Sequence, residues 1–385
     1  MAIQDISSVN TFFVLLRAGL YGSPVPASQL PEEIDWTAVT RLAKMHAVLG
    51  LIIDSVQYVP ERLRPSSDMR AKMNRFALSL IQSNMVMDKT AARLAAFLGQ
   101  HGFKGVLLKG QGVARSYYRM PQMRQLGDID FYVGKTAYKQ AAALCKRELA
   151  DNVAECHETE QHFNFSMSGI PIELHRIATR IFTPFRSSRF QNWLVEGLEH
   201  SPGRRTMTVD NVDITLPSYD FDAIYIFYHA WRHFITGGIG LRQLCDWTMV
   251  FNSHADDIDT DRLKTNIARF GLTQGWELFA CIAVNHLGLP EDKMPLYDPT
   301  YSRRSEKILE EIVTGGNFGY YSESYLRTKD LGYSLIDELH KVRNITDYFI
   351  ALFPIIPVEA TFLSLNRLFS GSLSSARRFF KKSHH

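Results

Sequence analysis

Cysteine is scarce in this sequence, and its few copies lie far apart. The four cysteines, Cys145, Cys156, Cys245 and Cys281, include no CxxC pair. A disulfide framework or a zinc ribbon depends on paired or closely spaced cysteines, so the sequence predicts neither. A reducing compartment is the simpler expectation, and we expect the protein to be cytoplasmic.

The sequence also lacks a long, uninterrupted apolar segment. Asp5 and Arg17 flank the apolar run at 11–16, and Pro354 and Pro357 break the run at 348–358. A membrane-spanning helix needs about 20 consecutive apolar residues. We therefore expect no signal peptide and no membrane partner.

Charge of either sign is in only small excess. The formal net charge is +3, with 22% charged and 45% hydrophobic residues. This composition is typical of a globular protein, and so small an excess gives no strong indication of DNA as a partner. Residues 374–385 are locally basic. We interpret them as a solvated or partly packed terminal helix, with a terminal site for RNA or anionic lipid as the alternative.

The order of the apolar patterns divides the chain into three regions. Residues 1–101 are predicted to be helical, with Asp35 as the N-cap of one helix and a long helix near the end of the region. Residues 102–217 alternate short strands with helices and include a hairpin that turns at Ser168-Gly169. Residues 218–385 return to helical patterns. The fold class is therefore α+β, with a small mixed sheet and its helices flanked by two helical regions.

Three acidic residues are predicted to form a metal site. Asp128 and Asp130 flank Ile129 at the start of a strand, and residues i and i+2 of a strand share a face about 6.6 to 6.8 Å apart. We expect both aspartates at solvent-facing positions. Glu173 lies on the return strand of the hairpin and is predicted to complete the metal site and to help deprotonate an acceptor. The alternative is a surface glutamate.

A glycine segment follows the first predicted strand and precedes a helix. It reads Lys109, Gly110, Gln111, Gly112. The glycines let a phosphate approach the backbone, and the following helix N-terminus offers unpaired N–H groups. Lys109 adds a point charge for the same anion. The alternative is a simple turn. The order of strand, glycine loop, helix and Asp-bearing strand is more specific than any one of its parts.

The sequence around these residues resembles a known family, the uncharacterised bacterial nucleotidyltransferases. The resemblance lies in the segment LLKGQGVARSYYRMPQMRQLGDIDFYV and in IPIELH downstream. It implies a polymerase-β-like core, NTP as substrate and two Mg²⁺ ions, for which Mn²⁺ can substitute. It also implies that Asp128, Asp130 and Glu173 are the metal acids. The sequence departs from the broader superfamily at Gln111, where Ser or Gly is common, and in a longer gap before Asp128.

Three arginines are further candidates for contact with a nucleotide. Arg124 matches the arginine of that family and is predicted either to reach a phosphate oxygen or to pair with a carboxylate that fixes its loop. Arg232 and Arg242 are predicted to touch the base or triphosphate if the helical region closes over the nucleotide. The alternative for these two is a polar group paired within a core of aromatic helices.

Two groups of histidines raise the question of zinc. His229 and His233 lie one helical turn apart, but the pair has no evident third ligand and no HExxH glutamate. Cys156, His157 and His162 are predicted to lie in a loop before the hairpin. We expect neither group to bind a metal.

Together these features predict a metal-dependent nucleotidyltransferase. It moves an NMP group from an NTP to an acceptor and releases pyrophosphate. The acceptor is a small molecule, an RNA or a protein. Two alternatives stay open, because a fold does not secure activity: a catalytically silent NTP-binding or interaction module, and a nucleotidyltransferase toxin that acts on RNA or protein.

Overall fold

The computed structural model describes residues 6–181 and 184–317, and this part of the chain contains twelve α-helices and seven strands. The helices are α1 (Ile6–Tyr21), α2 (Trp36–Met45), α3 (Leu49–Ser55), α4 (Ser67–Gln100), α5 (Gly110–Tyr117), α6 (Gly134–Glu148), α7 (Pro184–Val195), α8 (Tyr219–Gly237), α9 (Leu241–His254), α10 (Thr260–Phe270), α11 (Thr273–Asn285) and α12 (Ser302–Gly315). The strands are β1 (Val106–Leu108), β2 (Ile129–Tyr132), β3 (His157–Glu158), β4 (His162–Met167), β5 (Ile170–His175), β6 (Arg205–Val209) and β7 (Val212–Leu216). The interpretations of 348–358 and 374–385 lie outside the described residues.

Capping residues set the ends of the helices that precede the sheet. The Asp35 carboxylate accepts hydrogen bonds from the backbone N–H groups of Thr37 and Ala38, both at 2.9 Å, so it is the N-cap of α2 as predicted. The long helix α4 ends shortly before Gly102, whose φ of 78° is unfavourable for other residues. Its 34 residues span about 50 Å, which is long enough to run the length of the sheet.

The seven strands form one mixed sheet in the order β3-β4-β5-β2-β1-β7-β6. In its centre, β2 pairs parallel with β5 and antiparallel with β1, and β1 pairs parallel with β7. The hairpin β4–β5 turns at Ser168 and Gly169, whose φ angles of 55° and 74° suit a two-residue turn. These features confirm the α+β class and the predicted hairpin.

A second hairpin, β6–β7, was not predicted. Its strands are joined by Asp210 and Asn211, which have φ angles of 47° and 61°. Asp and Asn tolerate this conformation better than most residues, and the flanking sequence alternates apolar and polar side chains. The sequence signal was therefore present. The hairpin forms one edge of the sheet and brings β7 beside β1.

The two faces of the sheet pack against different helices. On one face, Leu107, Ile129 and Phe131 share a core with α4 and α6. On the other, Leu108 and Tyr132 join a larger core that includes residues of α1, α8, α9 and α11. The helices from before and after the sheet therefore share one core on this second face. The division of the chain at 101/102 and 217/218 stays a prediction.

Contacts between the chain's early and late helices support this arrangement. Arg17 of α1 donates a hydrogen bond to the carbonyl oxygen of His286 at 3.1 Å, and Tyr21 donates to that of Leu287 at 2.8 Å.

Among the described helices, none combines the length and the apolar character needed to cross a membrane.

Candidate metal and nucleotide site

The three predicted acids meet on the second face of the sheet. Asp130 of β2 lies opposite Glu173 of β5 in the parallel register, and Asp128 immediately precedes β2. Their side chains share a face because Ile129 and Ile172 turn to the other one. One carboxylate oxygen from each acid lies within 4.8 Å of the others. This group, called here the acid cluster, could hold a metal ion.

The prediction that both aspartates face solvent is wrong for Asp130. Asp128 is exposed, whereas only 3% of the Asp130 side chain is accessible. The reason is that β2 lies in the middle of the sheet and the helices of the larger core pack over this face. Glu173 lies between these extremes, with 29% of its side chain exposed.

Two cations hold the Asp130 carboxylate. Lys109 Nζ lies 3.1 Å from Oδ2, and His175 Nε2 lies 2.8 Å from Oδ1. Burial opposes ionisation of Asp130, but the charges and hydrogen bonds of Lys109 and His175 outweigh it and hold its pKa well below the usual value. Burial also opposes the charge of Lys109, but Asp130 outweighs this effect and raises the lysine pKa. The three groups therefore form a buried, ionised network.

His175 was missed in the sequence. Its Nε2 atom contacts Asp130 and also lies 3.3 Å from Glu173 Oε2. Burial lowers the pKa of His175, but hydrogen bonds to Asp130 and Glu173 raise it to about 9, so the ring is cationic at neutral pH. The signal was its position two residues after Glu173 on the same strand, which places both side chains on one face.

The acids crowd one another electrostatically. The charge of Asp130, followed by burial, raises the pKa of Asp128. Burial also opposes ionisation of Glu173, but the hydrogen bond from His175 lowers its pKa. With Lys109 and His175 charged, these five groups carry one net negative charge at neutral pH. Such a site favours a further cation.

His162 lies beside this group at the start of β4, and not in a loop as predicted. Its Nδ1 atom is 3.6 Å from Glu173 Oε2, and its ring centroid is 5.0 Å from that of His175. Burial is the main cause that lowers the pKa of His162. His162, Glu173 and His175 form a second group of side chains that could hold a metal. Within the described ranges, neither Cys156 nor His157 joins such a group.

The glycine segment begins a helix directly and does not form a separate loop. Helix α5 starts at Gly110, and Lys109 precedes it with φ 52° and ψ −149°, which only glycine adopts readily. Gly110 also has a positive φ, 42°. A Cβ atom at Gly110 would lie 3.6 Å from the backbone oxygen of Asp128. Among the described residues, no other atom outside the immediate chain neighbours lies within 4 Å of it. The first turn of α5 is therefore adjacent to the acid cluster and uncrowded at Gly110.

The other two residues of the segment face the protein interior. The Gln111 side chain is fully buried, and neither of its polar atoms has a hydrogen-bond partner in the described part of the chain. A Cβ atom at Gly112 would lie 2.9 Å from Leu216 Cδ2. A side chain at this position would therefore have to displace the Leu216 side chain of β7. Neither residue therefore presents a side chain to a phosphate.

Arg124 pairs with a carboxylate, which is one of its two predicted contacts. Its Nε and Nη2 atoms donate to the two carboxylate oxygens of Asp246 at 3.0 and 2.5 Å, and the pair is buried. Asn84 Nδ2 donates to the backbone oxygen of Arg124 at 2.9 Å. The arginine side chain therefore fixes the segment before β2 against α9, and its contact with a phosphate stays a prediction.

Arg242 contacts the same segment. Its Nη1 atom donates to the carbonyl oxygen of Gln125 at 3.0 Å. Burial, followed by the charge of Arg124, lowers the pKa of Arg242 to about 10. Both arginines hold the chain that leads into Asp128.

Helix α8 packs over the segment that follows β5. Tyr225 donates to the carbonyl oxygen of Ala178 at 3.3 Å, and Arg232 Nη1 donates to Thr179 Oγ1 at 3.3 Å. These contacts place the helix beside the segment that follows β5, the strand of Glu173.

Of two histidines of α8, His233 lies within electrostatic reach of Asp130 and Glu173, and His229 lies within reach of Lys109 and His175. Burial is the main cause that lowers the pKa of His229 and of His233, and the charge of Lys109 is the next. The pKa of His233 falls to about 4. In the described ranges, no third metal ligand joins this pair. The helical region thus lies near the site, and its contact with a nucleotide stays a prediction.

The sequence matches one known family. The sequence model described as "Uncharacterised nucleotidyltransferase" matches residues 32–288, which is well over half of the chain and contains the acid cluster. The chain therefore belongs to the uncharacterised nucleotidyltransferase family. Membership supports transferase activity. No curated protein and no solved structure matches the chain.

Proposed function

We propose that the protein transfers a nucleotidyl group from an NTP to an acceptor hydroxyl, on a polymerase-β-like core and with divalent metal ions. The observation that carries this proposal is the acid cluster, in which Asp128, Asp130 and Glu173 bring carboxylate oxygens within 4.8 Å of one another. The cluster lies beside Lys109 and the start of α5. Family membership supplies the reaction class.

The residues fit Mg²⁺, with Mn²⁺ as a substitute. All three ligands are carboxylates, which these hard cations prefer. Each oxygen of Asp130 accepts one contact, from Lys109 or His175, and an ionised carboxylate has about four lone-pair sites, so it retains capacity for a metal. When bound, two such ions neutralise charge on the attacking and leaving oxygens.

The start of α5 is our candidate for the triphosphate site. N–H groups in the first turn of a helix have no partner within the helix, and the helix dipole favours an anion there. We assign the N–H groups of Gly110, Gln111 and Gly112 to the phosphates, with the Lys109 ammonium beside them. Arg232 approaches the nucleotide from α8. Arg124 and Arg242 act as positioning residues, because both contact the segment that precedes Asp128.

Glu173 is placed to accept the acceptor's proton. It is partly exposed, and its lowered pKa keeps it ionised at neutral pH. The acceptor oxygen forms a bond to the α-phosphorus while the bond from that phosphorus to the bridging oxygen breaks. Pyrophosphate leaves with the electron pair, and the hydroxyl proton passes to Glu173.

A labelling experiment tests the proposal. The full chain is incubated with Mg²⁺, each of the four NTPs labelled at the α-phosphate, and small-molecule, RNA or protein fractions as acceptors. We expect label in one fraction together with pyrophosphate release. Asp128→Asn should abolish both, whereas Asp256→Asn, a change at an exposed aspartate outside the acid cluster, should not.

Two results would count against parts of this proposal. NTP binding without label transfer or pyrophosphate release in any fraction would identify a silent binding module. Equal activity of the wild type and Asp128→Asn would remove the acid cluster from the reaction. Growth arrest on expression, relieved by Asp128→Ala, would assign the transfer to a toxin.

A further inference from the structure

Two histidine nitrogens converge on a single carboxylate oxygen next to the acid cluster. His162 Nδ1 lies 3.6 Å from Glu173 Oε2, and His175 Nε2 lies 3.3 Å from the same oxygen. The side chains come from β4 and β5, which are directly paired, with His162 opposite His175. Side chains on paired strands are held more firmly than side chains on a loop, so the convergence is part of the sheet itself.

Two of the three spacings between these atoms match the edges of a metal coordination shell, and all three atoms lie within 4.8 Å of one another. Zinc binds imidazole nitrogen at about 2.0 to 2.1 Å and carboxylate oxygen at about 2.0 to 2.2 Å, so ligand atoms of a tetrahedral site lie about 3.4 Å apart. The two observed distances, 3.3 and 3.6 Å, bracket this value. The longer one exceeds an ordinary hydrogen bond.

We propose that His162, Glu173 and His175 form a second metal site, which binds a transition-metal ion of the Zn²⁺ class. Two imidazoles and a carboxylate suit such an ion, whereas the all-carboxylate acid cluster suits Mg²⁺. Three protein ligands leave one coordination position open. Glu173 belongs to both sites, so the two ions would share a ligand. Binding releases the Nε2 proton of His175 to solvent and so replaces the hydrogen bond that Nε2 donates to Asp130.

Accessibility and a neighbouring amide support this site. The side chains of His162 and Glu173 are 23% and 29% exposed, so an ion can reach them from solvent. Asn164 lies opposite Glu173 in the β4–β5 register. Its buried Nδ2 atom has no hydrogen-bond partner among the described residues. The proposed site would bring an oxygen acceptor, in its open position, to the same face of the hairpin as this group, which is costly to leave unpaired.

Cobalt substitution tests the proposal independently of nucleotidyl transfer. The full chain is stripped of metal with a chelator and titrated with Co²⁺, whose visible absorption reports nitrogen-containing, four-coordinate sites, and bound Co²⁺ is then displaced by Zn²⁺. We expect one Co²⁺ per chain with this absorption. Loss of outer contacts alone weakens metal sites about 10- to 100-fold, so His162→Ala and Glu173→Gln should lower affinity at least about tenfold.

Matched variants separate this site from the acid cluster. His157→Ala, a change at an exposed histidine on β3 outside the group, and Asp128→Asn should keep the absorption and the affinity. Circular dichroism checks that each variant is folded. Wild-type affinity in His162→Ala, absence of the absorption in the wild type, or its loss only in Asp128→Asn would overturn the proposal. A chain that binds Zn²⁺ as expected but releases no pyrophosphate would contradict the proposed function alone.

Discussion

Replacing Asp130 by asparagine removes a buried charge that two cations share. Lys109 Nζ lies 3.1 Å from one carboxylate oxygen and His175 Nε2 lies 2.8 Å from the other. Breaking a buried ion pair by removing one partner costs about 3 to 5 kcal/mol, because the remaining charge is left uncompensated. Here His175 can lose its proton and 17% of the Lys109 side chain reaches solvent, so the charges left behind are partly relieved. We therefore expect Asp130→Asn to lower the free energy of unfolding by about 3 kcal/mol, at the low end of that range.

Asp128→Asn is the matched control, since it makes the same chemical change two residues away. Asp128 is exposed, and the charge of Asp130 raises its pKa, so its own charge is disfavoured in the folded protein. Removing that charge relieves repulsion. We expect the free energy of unfolding to change by less than about 0.5 kcal/mol, with a slight gain in stability.

Urea denaturation at neutral pH, in the presence of a chelator, measures this difference. Tryptophan fluorescence and circular dichroism follow unfolding of the wild type and both variants. A loss of about 3 kcal/mol corresponds to a more than 100-fold change in the unfolding equilibrium, so the Asp130→Asn midpoint should fall clearly below the other two. Equal midpoints for the two variants would refute the buried network, whatever their effect on nucleotidyl transfer.

Three further substitutions test separate parts of the site. Glu173→Gln should lower turnover more than NTP affinity, and wild-type kinetics would return it to a surface role. Gly110→Val should weaken NTP binding in titrations, because it adds bulk and strain in the first turn of α5. Lys109→Ala should weaken NTP binding less. If both variants bind NTP with wild-type affinity, the segment is only a turn. Arg124→Ala and Asp246→Ala should each cost about 3 kcal/mol in urea denaturation, and the double variant should cost less than their sum, whereas full additivity would exclude a coupled pair.

Local patterns in the sequence predicted the elements that carry the acids. Alternation along β2 and β5 placed Ile129 and Leu174 in one core and left Asp130 and Glu173 on the opposite face. That side-chain direction follows from strand geometry alone. The alignment of Asp130 with Glu173 depends on the parallel pairing of β2 with β5, which no local pattern specifies. In the sequence, the family resemblance indicated that these two acids belong to one site.

Other features of the site depend on contacts between distant parts of the chain. The partner of Arg124 is Asp246, 122 residues away, and no local pattern in the sequence identifies this partner. The burial of Asp130 likewise depends on helices that pack over the sheet from outside its own region. Periodicity shows which face of a strand is apolar, but it does not show what covers the polar one.

Lys109 connects the two halves of the proposed nucleotide site. Leu108 lies opposite Asp130 in the β1–β2 register, so the next residue leaves the sheet beside the acid cluster. The positive φ of Lys109 then turns the chain directly into α5, at a cost of about 1 to 3 kcal/mol for a residue other than glycine. Close packing of Gly112 against Leu216 holds the helix in this position. The same turn therefore places helix N–H groups near an incoming anion and the Lys109 ammonium group near Asp130. An entering metal ion would compete with Lys109 for the Asp130 carboxylate. An entering triphosphate would compete with Asp130 for the Lys109 ammonium group.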